Sequence, residues 1–407
     1  MSEPDYNGID REGGYDVKKA LLTGIYLVIA TVSMSGCWSQ LELNDRGFVQ
    51  AVAIDKKEDG GFRLSTLFYK PSGSEQGSKS SSAMPYFTVV TEGETIFEAT
   101  RDITLALGRK AQWSHMRVLL IGEEVVGGKG MSKELDYFIR DHEVRGVVSV
   151  MITAGKAGPY LKIKPIIENT FAQQLKTIGE QGHRFTAKTM QVSLTELHIR
   201  SLEQVPLSMV PYVRLDPLDK KKAGVSGLVV VDMKSGMRKA VIPSEQSRYV
   251  LMLNNQFESG ILKIPCDSDG KRRKGASVAK ESFEVVRSHT KINPIVHGDR
   301  VTLHISISVE GTIGELKCSS PISESGEGQF IVKVEQLLLR EASETMEMLQ
   351  KERIDVIDAG GRLYRKQLKT WKRLSPEWES RFAASDYRIR VKVKMMNSGV
   401  GAAVPLS

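Results

Sequence analysis

The segment 48-FVQAVAI-54, followed by the turn-forming Asp59-Gly60-Gly61 and then by 62-FRLSTLFY-69, decides the fold. Both runs are rich in β-branched and aromatic residues, whose stiff side chains favour extended backbone, and a glycine turn joins them, so they read as a β-hairpin. Working outward, Phe87 to Val90 returns as a strand. Thr95 to Leu107 sets Ile96, Ala99, Ile103 and Leu107 on one helical face, with Gly108 as the stop. Val118 to Ile121 is a short buried strand, Ser132 caps a helix carrying Leu135, Phe138 and Ile139, and Val147 to Ile152 is again a strand. Hairpin, helix, strand, helix, strand is the order of an α+β domain. Inside it, 71-PSGSEQGSKSSSAM-84 has no periodicity and reads as a mobile surface loop.

Beyond that domain, 155-GKAGPYLKIKP-165 is punctuated by Gly and Pro and precedes a helical stretch, Ile166 to Glu180, and a second helix, Ser193 to Leu202. The proline-spaced 206-PLSMVPYVRLDP-217 reads as an extended linker, and a new unit starts near Asp216. There Val225 to Met233 and Arg238 to Ile242 form strands around Ser235-Gly236, Ser244 to Asn254 a helix, and Phe257 to Ile264 a further strand. Ser282 to Ile292 and Arg300 to Val309 are long alternating strands; in the second, Val301, Leu303, Ile305, Ile307 and Val309 face the core while Thr302, His304, Ser306 and Ser308 face water. Phe330 to Arg353 carries a helical apolar stripe of Ile331, Val334, Leu338, Ala342, Thr345 and Leu349, and a more basic helix follows from Arg362 to Trp371. The resulting fold class is α+β and multidomain, with mixed β-sheets flanked by helices. Its expected divisions are 1–36, 37–158, 159–215 and 216–400.

Two basic features stand out. In 387-YRIRVKVKM-395, Tyr387, Ile389, Val391, Val393 and Met395 point inward and Arg388, Arg390, Lys392 and Lys394 outward. Such a ladder either keeps an exposed sheet face soluble or docks an acidic partner. The run Lys271, Arg272, Arg273 and Lys274 lies at an expected hairpin tip, as a solvated turn or a contact for acidic lipid or protein.

Toward the N-terminus, Lys18 and Lys19 abut the apolar run 20-ALLTGIYLVIATVSMSG-36, which ends at Cys37 before an abruptly polar chain. Positive charge, about 14 apolar or small residues and small residues before a cysteine form the layout of a bacterial secretory signal. A span needs ~20 apolar residues to cross ~30 Å of hydrocarbon, and the run is too short before Asn44, Asp45 and Arg46 close it. Met34, Ser35 and Gly36 resemble a lipobox, in which Cys37 takes a diacylglyceryl group and becomes the mature N-terminus; a plain signal peptide with an incidental cysteine, or an uncleaved short anchor, is the alternative. With 41% hydrophobic and 26% charged residues the chain is neither disordered nor an integral membrane protein. It carries a net +8, and the leader takes more acidic than basic residues with it. Excess positive charge suits a surface held beside anionic headgroups; no groove-reading or base-stacking motif points to nucleic acid.

No constellation for catalysis emerges. Gly122 to Gly130 comes near a phosphate-binding loop, but Gly128 occupies the lysine position and no Ser or Thr follows Lys129. There is no G-x-S-x-G elbow and no H-E-x-x-H, and His289, His297 and His304 fall in different strand or turn settings, so neither a metal nor another cofactor is expected. Cys266 reads as a small buried apolar residue, a bridge to Cys318 being the alternative.

From Cys37 to Met395 the chain resembles the Ger(x)C family, the lipid-anchored C subunits of spore germinant receptors. The residues that carry the resemblance are GCWSQLELNDRGFVQAVAID, PYFTVVTEGETIFEATRDITLALGRKAQWSHMRVLLIGEE and FIRDHEVRGVVSVMIT in the first half. SRYVLMLNNQFESGILKIPC, SFEVVRSHTKINP, VEGTIGE and YRIRVKVKM carry it in the second. Met34, the long leader and 354-IDVIDAGG-361, where the family has a glycine-rich aromatic run, depart from the pattern. The resemblance implies a non-enzymatic subunit acting with a polytopic A subunit and a transporter-like B subunit on the extracytoplasmic face of the spore inner membrane; the alternative reading is a lipid-anchored extracytoplasmic solute-binding protein or enzyme. It also implies a three-domain α+β fold.

Overall fold

The computed structural model describes residues 13–33, 46–70, 85–128, 130–266, 279–318 and 324–396. Helix α1 (Gly13–Ser33) belongs to a unit of its own; it holds residues 20–33 of the expected signal run, and no helix among the described residues is long and apolar enough to cross a membrane.

The remaining unit begins with the expected hairpin, β1 (Arg46–Lys56) and β2 (Phe62–Tyr69), and continues through β3 (Tyr86–Gly93), α2 (Ile96–Leu107), β4 (Lys110–Gln112), β5 (Val118–Gly122), α3 (Glu123–Gly127), α4 (Ser132–Arg140) and β6 (Ser149–Thr153). Next come α5 (Phe171–Thr186), α6 (Leu194–Ser201), β7 (Leu207–Leu215), β8 (Ala223–Asp232), β9 (Met237–Ile242) and α7 (Ser244–Leu253). One mixed sheet runs β3-β2-β1-β5-β6-β7-β8-β9, with β4 paired to β1. Its centre, β1-β5-β6-β7, is parallel and its flanks are antiparallel. Parallel centres are covered on both faces. Val52, Ile54, Leu119 and Ile121 accordingly pack with Ile103 and Phe138 on one side, while Ala51, Ala53, Val118 and Leu120 meet Phe171 and Leu175 of α5 on the other. That is why β1 and β5 are near-continuous apolar runs.

The second sheet is β10 (Gly260–Pro265), β11 (Lys280–His297), β12 (Arg300–Glu315) and β13 (Asp386–Met395), in that spatial order. Between its last two strands lie α8 (Glu324–Lys351), α9 (Ala359–Lys366), α10 (Leu368–Leu374) and α11 (Trp378–Ala383). Leu303, Ile305, Ile307 and Val309 form one buried face with Val334, Leu338 and Leu349 of α8, as the alternation and the helical stripe require. Two mixed sheets flanked by helices make the α+β class stated from sequence.

Four local expectations need correction. Residues 206–217 are not a linker: they contain β7, a central strand, and the sheet runs on across residue 216 because β7 pairs with β8. Pro211 is tolerated there because it sits at a register shift where the ladder is interrupted. The helix expected from Ile166 starts at Phe171, where the Thr170 hydroxyl accepts the Gln173 N–H. The basic helix from Arg362 to Trp371 is two helices broken at Gln367. Ser132 is not a cap: it is the first residue of α4, and its hydroxyl donates to Met233 O at 2.9 Å. The proposed mobile loop 71–84 lies outside the described residues.

Candidate functional site

The candidate site is the open face of the second sheet. Strand β13 lies parallel to β12 as an edge strand, with Arg388 opposite His304, Arg390 opposite Ser306, Lys392 opposite Ser308 and Lys394 opposite Glu310. On the other flank of β12, Lys291 of β11 is opposite Ser306, His289 opposite Ser308 and Arg287 opposite Glu310. Because side chains alternate across a strand, these residues share one face, and Lys291, Ser306, Ser308, Arg388, Arg390, Lys392 and Lys394 are all exposed. The inward partners Tyr387, Ile389, Val391, Val393 and Met395 pack against the core that includes α8.

This arrangement leaves two serines in a shallow strip between rows of cations. Arg287 pairs with Glu310 at 3.5 Å. Among the described residues, Lys291, Arg388, Arg390, Lys392 and Lys394 have no carboxylate within ion-pair distance. Repulsion between the rows is tolerable in water and is relieved by any anionic layer laid over the face. The free edge is partly guarded: the Val393 N–H donates to Glu335 Oε1 at 2.9 Å rather than to another strand.

The other sequence candidates fall elsewhere. Cys37, Met34, Ser35, Gly36 and the run Lys271, Arg272, Arg273 and Lys274 lie outside the described residues. The strands flanking that run, β10 and β11, do pair antiparallel. Cys266 and Cys318 form a disulfide with Cα atoms 5.7 Å apart, so the reading of Cys266 as an isolated apolar residue gives way to the bridged alternative. Within Gly122 to Gly128 the end of β5 leads into α3, and Glu123 accepts the Gly155 N–H and pairs with Arg238. Among the described residues no three His, Cys, Asp or Glu side chains gather at metal-binding distance.

Sequence reading missed Lys291 and Arg287 as members of the basic face, although the alternation of β11 placed them outward. It also missed two buried carboxylates. Asp55 at the end of β1 accepts the N–H groups of Ala157 and Gly158 at 2.5 and 2.8 Å. Asp355 accepts those of Ala359 and Gly360 at 2.9 and 2.7 Å, together with Trp378 Nε1 at 2.9 Å. In both, burial outweighs the donated hydrogen bonds and raises the carboxyl above its ordinary range. Every partner of these groups is internal, so they fasten turns.

The described residues thus form a two-sheet α+β arrangement with an exposed cationic sheet face. Residues 39–215 match the model for the spore germination protein N-terminal domain, and residues 226–399 match the spore germination B3/GerAC-like C-terminal model. The chain therefore belongs to the Ger(x)C family, the family of germinant-receptor C subunits. It is similar to spore germination protein KC of Bacillus subtilis (strain 168), 23% identical over 385 residues covering 90% of this chain and 92% of the relative. Spore germination protein A3 of the same organism is 24% identical, covering 90% of this chain and 96% of that one. The crystal structure of the GerBC protein superposes with a TM-score of 0.53 at 18% identity, covering 85% of this chain and 97% of that chain, which shows the shared fold.

Proposed function

We propose that this chain is a lipid-anchored, non-enzymatic C subunit of a spore germinant receptor. In this reading it works with polytopic A and transporter-like B subunits on the extracytoplasmic face of the spore inner membrane. The observation that carries the proposal is the uncovered basic face of β11, β12 and β13, with five cations lacking carboxylate partners among the described residues. Such a surface recognises an acidic surface of a membrane subunit, gaining orientation and rate from complementary charge. The Cys266–Cys318 disulfide fits an oxidising, extracytoplasmic setting. Acylation of Cys37 supplies the tether; a single acyl anchor gains from a second contact, and each Lys or Arg near an anionic surface adds roughly 1 kcal/mol. The non-enzymatic part rests on the sequence, which lacks the nucleophile, P-loop and zinc-binding motifs sought above.

The anchor is tested by Cys37→Ala in spores, followed by membrane fractionation and germinant response. The protein is expected to leave the membrane fraction and germination to slow. Full membrane retention with an unchanged response would contradict the proposal.

A further inference from the structure

The edge of β13 carries more information than its charges. Met396, just past the strand, donates its N–H to Gly311 O of β12. Backbone groups alternate in direction along a strand, so the even-numbered residues of β13 bond β12 and the odd-numbered ones turn their N–H and C=O groups to the free edge. The Val393 N–H, held by Glu335 Oε1 at 2.9 Å, obeys that alternation. No strand lies beyond β13 among the described residues, so Ile389 and Val391 offer backbone donors and acceptors on the outer side. Such a row is a template for one more strand. Edges that are closed to pairing carry a proline or inward-pointing charges, whereas the inward residues here are the half-buried, apolar Ile389 and Val391.

Helix α8 adds an apolar wall beside that edge. At 3.6 residues per turn, Val332, Glu335, Leu339 and Gln350 fall within an arc of about 60°. Two of the four hold the β13 chain: Glu335 accepts the Val393 N–H, and Gln350 Nε2 donates to Ser385 O at 2.6 Å. Helix and strand therefore run antiparallel, and this flank of α8 follows the edge. The other two, Val332 and Leu339, are 48% and 43% exposed. Leu339 lies about 6 Å along the helix from Glu335, close to the step of about 6.6 Å that separates Val393 from Val391 in the strand. It is thus level with the open N–H of Val391. Two apolar side chains flank the edge on its core side, and Arg390 and Lys392 flank it on the outer side.

We propose that β13 accepts a further strand from a partner protein, an extended segment in which acidic and apolar residues alternate. Its backbone pairs with Ile389 and Val391, its acidic side chains stand beside Arg390 and Lys392, and its apolar side chains cover Leu339 and Val332. Glu335, by occupying the Val393 N–H, ends the ladder there and sets the register. The proposal rests on the reading of the basic face as a docking surface and adds the mode of docking. Charge selects an acidic partner, and the period of two selects a strand over an acidic helix or loop.

The test uses the full chain in detergent and a fluorescent octapeptide alternating glutamate and valine. An octapeptide of the same composition, with its glutamates in one block and its valines in another, is the control of equal charge. Anisotropy titration should show saturable binding of the alternating peptide and about tenfold weaker binding of the block peptide. Val391→Pro removes an edge N–H without touching the β12 ladder or any charge, and Leu339→Gln removes an apolar contact without adding charge. Each should weaken the alternating peptide by about tenfold with an unchanged circular dichroism spectrum. If Val391→Pro does not fold, Leu339→Gln decides. No saturable binding of the alternating peptide at millimolar concentration, equal binding of the two peptides, or indifference to Leu339→Gln would overturn strand addition. Equal binding of both peptides that is lost in Arg390→Glu with Lys392→Glu would leave the docking face standing without the added strand, so the two readings fail separately.

Discussion

Asp355 shows how single residues hold this fold. Its carboxylate closes the segment 354-IDVIDAGG-361 by accepting two backbone N–H groups at the start of α9 and the indole of Trp378. Gly360 is required there, since a Cβ would lie 2.6 Å from Trp378 Nε1 and 2.7 Å from Val205. A segment that departs from the family's aromatic run is therefore ordered by a buried acid. Because burial raises the Asp355 carboxyl in the folded state, the folded protein holds this proton more tightly than the unfolded chain. The stability it contributes is present below the ordinary carboxylate value of 3.8 and is lost as pH rises through the raised folded value. Urea unfolding of the wild type and Asp355→Asn from about pH 4 to pH 7 should show the wild type's advantage largest in acid and shrinking as pH rises. An advantage that grows with pH would show that the hydrogen bonds, rather than burial, dominate.

Among elements, the hairpin of β11 and β12 depends most on a long-range constraint. The Cys266–Cys318 bridge joins the end of β10 to the exit of β12 across 52 residues. The buried carboxylate of Glu281 accepts the Lys317 and Cys318 N–H groups beside it. Closing a loop of that length removes about 4 kcal/mol of unfolded-state entropy. Cys266→Ser should lower the unfolding free energy by up to about 4 kcal/mol in guanidinium titration, and reductant should do the same to the wild type but not to the variant. Equal stability in oxidised and reduced protein would exclude the bridge as a support. The bridge was readable in sequence only as the alternative for Cys266, and the β12–β13 pairing was not legible at all. Alternation is a local signal, so β12 and β13 were readable separately as half-buried strands. Their parallel pairing spans all of α8 to α11 and leaves no mark in either strand. Likewise, β7 was hidden by prolines, one of which occupies an irregularity that needs no ladder hydrogen bond. Helix α2 was legible at both ends because its stops are local: the Thr95 hydroxyl accepts the Glu98 N–H, and Gly108 takes φ +68°.

At the scale of the whole molecule, two sheets have opposite relations to water. The first is covered on both faces at its parallel centre and acts as a frame. The second packs one face on α8 and presents the other as a cationic surface. The proposed anchor rests on a charged, apolar and small-residue series conspicuous in sequence, and half of the basic face was conspicuous as the ladder in β13. The remaining half appears only once β11 and β12 are laid beside it. Together they give the account its central claim, that a tethered scaffold docks electrostatically on its membrane partners. The most direct measurement is affinity recovery of this chain from detergent-solubilised spore membranes, with quantification of the polytopic subunits that accompany it. Wild type should bring them along, and the double substitution Arg390→Glu with Lys392→Glu should lose most of them while remaining folded and in the membrane fraction. Equal recovery of the polytopic subunits by the wild type and the doubly substituted protein would contradict the account.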